Sequence, residues 1–219
     1  MTDTILSADP ADFSPSEDKL VAPNERRLGL LTLVLGLLVW AALILGTFGL
    51  ALIYLLLGGL VYLFAQSGLV AYLRGHGARL SAQQYPELYA QFQACCRRLG
   101  LKEEPEAYVL HGDGWMNAFA ARFLGRHYVV LLSAVVDAMD KHPDGVRFYM
   151  GHELGHIKRG HLTGRLWRLP VLWLPLLGAA YSRAQETTCD LHGLACCSSR
   201  EGGARALARI FHAHPQVAV

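Results

Sequence analysis

From Leu28 to Leu73 the chain carries no formally charged residue. A soluble domain of this size has no use for an unbroken apolar run of that length. A bilayer crossing takes about 20 apolar residues as a helix, so the run suffices for two. Gly46-Thr47-Phe48-Gly49 is the natural point of reversal. Composition agrees, with 53% hydrophobic and only 17% charged residues, more apolar than an ordinary soluble domain. Arg26 and Arg27 precede the run, Arg74 and Arg79 follow it, and the reversal is uncharged. The positive-inside rule then places both ends, and everything after them, in the cytoplasm. The expectation is a multi-pass protein of the inner (cytoplasmic) membrane, in contact with membrane lipids, with its remaining domain facing the cytoplasm.

Residues 1–27 are polar, with Pro10, Pro15 and Pro23 among acidic residues and serines, and read as a disordered tail. They are not a secretory signal, because the start is acidic and the apolar run is too long for an h-region. A net charge of +2 gives no reason to expect a nucleic-acid partner. The five cysteines, Cys95, Cys96, Cys189, Cys196 and Cys197, are odd in number and include two adjacent pairs. They make a poor disulfide framework and read as buried thiols in a reducing compartment.

Beyond the apolar run, Ser81 to Gly100 has helical spacing of Tyr85, Leu88, Tyr89, Phe92 and Leu99, with Pro86 suited to a first turn. Strands are expected at Ala107–His111, Trp115–Ala121 and His127–Leu132, and a short helix at Ser133–Met139. Pro143 opens a further helix. The expected fold class is therefore α+β, mainly α: a transmembrane helical hairpin at 28–73, then a domain at 74–219 with a small sheet.

The helix opened by Pro143 carries His152-Glu153-Leu154-Gly155-His156, an HExxH motif. Histidines four apart project from one helix face and can bind one Zn²⁺, while the intervening glutamate reaches its water. Glu153 is the expected general base, because successive helix positions diverge and it cannot easily join its neighbours on the same ion. A third ligand is needed. A histidine in the metzincin register is absent, since Arg159 and Leu162 stand where that pattern needs glycine and histidine. His161 reads as a solvated residue at a helix end. Glu186, followed one turn later by Asp190, supplies a carboxylate ligand and a partner for the second N–H of a ligand histidine. His192, His212, His214 and Arg183 are candidate donors to an oxyanion.

Taken together, Gly151–Ile157 running on to Gly160-His161, Glu186 with Asp190, and Asn117-Ala118-Phe119-Ala120 ahead of a Val-rich strand resemble the membrane-bound gluzincin peptidases. That group includes bacterial HtpX and the eukaryotic CAAX prenyl proteases. The resemblance implies a zincin-like metalloprotease domain with one Zn²⁺ on His152, His156 and Glu186. It also implies a cleft in which Asn117, Ala118, Phe119 and Ala120 form an edge strand binding a polypeptide substrate in extended form. The implied activity is endoproteolysis of membrane or unfolded proteins. A peptidase for lipid-modified peptides and a non-catalytic zinc-binding membrane scaffold are the alternatives. Many relatives carry two further spans before the glutamate. Here residues 169–182 are uncharged but too short for one, so this stretch is expected to lie on or dip into the membrane face.

Overall fold

The uncharged run folds as two helices, α1 (Glu25–Gly46) and α2 (Leu50–His76), and the chain reverses at Thr47–Gly49. Both are long and apolar enough to cross a membrane. Leucines and aromatics stand exposed along them, among them Leu30, Leu38, Leu56 and Phe64, and Phe48 is exposed at the reversal. A continuous apolar surface of that kind marks an interaction with lipid or protein. The structure is a computed structural model, and it describes residues 17–112, 118–137, 143–199 and 201–203.

Residues 17–27 are folded, which corrects the expected tail over that stretch. Glu17–Leu20 form a 3-10 turn, Leu20 and Ala22 are buried, and the Ala22 N–H donates to Thr188 Oγ1 at 2.9 Å. Glu25, the first residue of α1, is 5% exposed. Residues 1–16 lie outside the described residues.

A four-stranded sheet follows, from β1 (Ala78–Arg79), β2 (Glu106–Leu110), β3 (Ala118–Phe123) and β4 (Arg126–Leu132), in spatial order β1-β2-β4-β3. β2 and β4 are parallel, and β3 returns antiparallel to β4, with Ala118 opposite Leu131 and Phe123 opposite Arg126. β4 is central, and Val129, Val130 and Leu131 are fully buried. β3 is therefore an edge strand. The C-terminal end of α2 packs on the sheet through Val70, against Tyr108 and Tyr128.

Helix α3 (Pro86–Arg98), the short α4 (Ser133–Asp137) and α5 (Pro143–Lys158) complete the first half of the domain. Phe92 of α3 and Met150 and Leu154 of α5 share one core with Val129 and Leu131. Each such side chain contributes about 1.5–3 kcal/mol by leaving water. After α5 come α6 (Arg165–Leu172) and α7 (Leu177–Cys196). The segment expected at the membrane face thus holds the end of α6, a turn and the start of α7.

Two close approaches set the helices that matter for function. A Cβ on Gly193 of α7 would lie 2.8 Å from the Phe148 carbonyl oxygen of α5, so these helices meet nearly backbone to backbone. A Cβ on Gly36 of α1 would lie 2.2 Å from the Trp167 carbonyl oxygen of α6. Trp40 Nε1 also donates to the Leu166 carbonyl oxygen at 3.0 Å. All five cysteines are free and buried.

Candidate active site

Helix α5 presents His152 and His156 one turn apart, with ring centroids 5.2 Å from each other. Across the Gly193 contact, α7 brings Glu186 and Asp190 to the same place. Glu186 Oε2 lies 3.2 Å from His152 Nε2, and its Oε1 lies 3.8 Å from His156 Nε2. Both Nε2 atoms therefore face one carboxylate. Asp190 Oδ1 lies 3.0 Å from His152 Nδ1. A carboxylate only accepts, so His152 donates from Nδ1 and its Nε2 is the atom left to bind.

The charges agree with this division of labour. Burial pulls the His152 pKa down, but hydrogen bonds to Asp190 and Glu186 outweigh it and carry it up to about 10. The bond from His152 holds the Glu186 carboxyl below its ordinary value despite burial. A site that grips a proton this firmly between an imidazole and a carboxylate suits a cation placed between them. Burial, with the neighbouring His152, His161 and Arg165, holds His156 below its ordinary value against the pull of Glu186. It is neutral near pH 7, as a metal ligand must be.

Glu153 is 7% exposed and accepts a hydrogen bond from the Ala120 backbone N–H of β3. Burial raises its carboxyl to about 7, with His152 pulling the other way. With His152, His156 and Glu186 it lines a cleft of about 800 Å³. Phe119 and Ala120 form part of one wall, and Leu30, Leu33 and Leu172 another.

Cys189 competes with Glu186 as a third donor. One ligand atom each of His152, His156 and Cys189 lie within 4.8 Å of one another. The Cys189 sulfur, however, sits 3.5 Å from His161 Nδ1. Burial first, and then the surrounding carboxylates, push its thiol far above its ordinary pKa. Geometry favours Glu186, whose carboxylate faces both Nε2 atoms.

Residues 82–177 match the family model described as Peptidase family M48. Over that stretch the chain is similar to the M48 peptidases. Neither the curated proteins nor the solved structures contain a match. The M48 segment includes β2–β4, the whole of α5 and α6, while Glu25, Glu186 and Asp190 lie outside it.

Of the other residues singled out from the sequence, Ala118, Phe119 and Ala120 lie on the edge strand β3. Asn117, His212 and His214 lie outside the described residues. Two readings need correction. His161 is not solvated: its side chain is 5% exposed. α5 ends in a Schellman-type turn, with the Gly160 N–H on the Ile157 carbonyl and the His161 N–H on the His156 carbonyl. Gly160 takes φ +68° there, where a side chain would be strained, and the turn folds His161 back onto His156. His192 is not free to meet an oxyanion, being 1% exposed with Nδ1 2.7 Å from the Thr188 carbonyl oxygen. Arg183 does not line the cleft, whereas Arg165 and Arg168 do. The glycine-histidine pair just past the motif was the signal for His161. No sequence pattern marked Glu25.

Proposed function

We propose that this chain is a membrane-anchored zinc endopeptidase. One Zn²⁺ is held by His152, His156 and Glu186, Asp190 orients His152, and Glu153 is the general base. The observation that carries this reading is the convergence of both histidine Nε2 atoms on Glu186, in a cleft that the Glu153 carboxyl also lines. Zn²⁺ supplies a Lewis acid there and makes water acidic near neutral pH. Glu153 takes the proton of the water that adds to the peptide carbonyl and returns it to the leaving amine nitrogen. A carboxyl with a pKa near 7 suits both transfers. Ala118, Phe119 and Ala120 lie on the edge strand β3, and Phe119 and Ala120 line the cleft, so an extended substrate segment would lie along this strand.

Residues 28–73 serve as the membrane hairpin and 74–219 as the peptidase domain facing the cytoplasm. The contact between α1 and α6 supports a dip of the 169–182 region into the bilayer. Gly36 lies 11 residues beyond Glu25, about 16 Å along the α1 axis, and α6 crosses at that level. Leu166, Trp167, Leu169 and Trp173 are exposed there, while Arg165 and Arg168 turn to the cleft. The apolar cleft wall of Leu30, Leu33 and Leu172 suits substrate segments that adjoin the membrane or are unfolded. That wall also favours lipid-modified peptides as a second reading. Equal cleavage of a prenylated peptide and its unmodified copy would remove it.

The test is cleavage of a flexible protein by the detergent-purified chain, with zinc content measured alongside. Glu153→Gln is expected to keep zinc and lose about 10²–10⁴-fold in rate. Glu186→Gln is expected to lose zinc, and Cys189→Ala to keep it. A wild type that holds zinc yet cleaves no more than Glu153→Gln would leave a non-catalytic zinc scaffold.

A further inference from the structure

We propose that Glu25, at the head of the first apolar helix, and His161 are positioning residues for the metal site. Through them, α1 sets which nitrogen of His156 faces the metal. This inference rests on the zinc reading of His152, His156 and Glu186.

His156 Nδ1 and His161 Nδ1 are 3.1 Å apart, and His161 Nε2 is 3.2 Å from Glu25 Oε1. The direction of the first bond follows from the second. The Glu25 carboxylate only accepts, so His161 donates from Nε2. A neutral imidazole that donates from Nε2 accepts at Nδ1, so His156 must donate from Nδ1. The Nε2 lone pair of His156 is then left toward Glu186. Arg159 faces the same Glu25 oxygen, with Nη2 at 3.2 Å and Nε at 3.3 Å. Thr188 donates to the other Glu25 oxygen. Glu25 and His161 side chains are 6% and 5% exposed, so water does not compete for these bonds. The arrangement parallels that of His152, which Asp190 orients from α7. The two ligand histidines are thus fixed by carboxylates from different parts of the chain, one directly and one through His161.

Partners behind a metal-bound histidine are worth about 10–100-fold in metal affinity. The experiment measures the zinc dissociation constant of the full chain in detergent by chelator competition, together with thermal melting. His161→Phe is expected to bind zinc 10–100-fold more weakly. His161→Asn keeps an acceptor near the Nδ1 position and is expected to recover most of that loss. Glu25→Gln is expected to weaken zinc binding in the same direction as His161→Phe. Thr188→Val touches Glu25 without interrupting the path to His156, and is expected to lower the melting temperature with zinc affinity unchanged. Nitrogen-15 shifts of His156 in the zinc-loaded wild type should report a proton on Nδ1. Should His161→Phe fail to fold, Glu25→Gln decides. Zinc affinity within about threefold of wild type in folded His161→Phe and Glu25→Gln would overturn the proposal, leaving Glu25 as a docking contact for α1. A wild type that takes up no zinc would remove the metal site, and this inference with it.

Discussion

Replacing Gly193 with alanine tests whether the nearly backbone-to-backbone contact of α5 and α7 is what assembles the site. The new Cβ would stand 2.8 Å from the Phe148 carbonyl oxygen and 3.0 Å from two atoms of the Phe148 ring, where ordinary contact begins at 3.4 Å. The carbonyl belongs to the α5 backbone and cannot swing aside, so the helices must separate locally by about 0.6 Å. Zinc–ligand distances tolerate about 0.2 Å. Asp190 lies within one turn of position 193 and Glu186 two turns away, on the helix that is displaced. The expected result is zinc affinity lower by about tenfold or more. Overpacking costs about 1–3 kcal/mol, and the better helix propensity of alanine offsets up to about 1 kcal/mol. The net loss corresponds to a melting temperature lower by a few degrees. Gly58→Ala in α2 is the control, because a Cβ there meets nothing within 4 Å. Chelator competition and melting in detergent would be run on both variants and wild type. If Gly193→Ala matched Gly58→Ala in zinc affinity and melted no lower, the reasoning from the close contact would be wrong.

Two further predictions follow from the electrostatics and from the hairpin. His152, held up to about 10 by Asp190 and Glu186 against burial, carries a proton near neutral pH, whereas His156, held low mainly by burial, does not. Zinc must expel the His152 proton, so affinity is expected to rise about tenfold per pH unit between about pH 7.5 and 9.5 and to weaken as pH falls. A flat profile over that window would show that His152 is already neutral. For the hairpin, a membrane-impermeant maleimide added to intact cells is expected to label Thr47→Cys and to spare Lys102→Cys until lysis. The opposite pattern would invert the orientation, and labelling of both would deny that the pair of helices spans the membrane.

Much of this architecture is legible from local chemistry. Uncharged residues from Leu28 to Leu73 with glycines near the middle imply two helices and a reversal, and α1 and α2 break at Thr47–Gly49. Helical spacing alone puts His152 and His156 on one face. The strands at Ala107–His111 and His127–Leu132 match β2 and β4 within a residue at each end. What the sequence hides depends on partners far away in the chain. His161 reads as a solvated residue at a helix end, yet it and Arg159 both turn to Glu25, more than 130 residues earlier. Glu25 itself reads as the last acid of a polar tail, because nothing local shows that Thr188 and His161 will enclose it. The parallel pairing of β2 with β4 is hidden for the same reason, since strand order depends on where β3 is laid down.

The placement of Glu25 ties the residues after α2 to the first apolar helix. Helix α1 contributes Gly29, Leu30 and Leu33 to the cleft as well as Glu25, and Arg168 of α6 donates to the Gly29 carbonyl oxygen at 3.3 Å. Gly36 and Trp40 hold α6 at its far end. Removing α1 would therefore open one cleft wall, release α6 and leave Arg159 and His161 without their shared carboxylate. An anchor that only tethered a domain to lipid would need none of these contacts. The distribution of buried polar groups on α1, with Glu25 and Thr32 buried and leucines exposed on the remainder, is that of a helix packed into the domain on one side and apolar on the other.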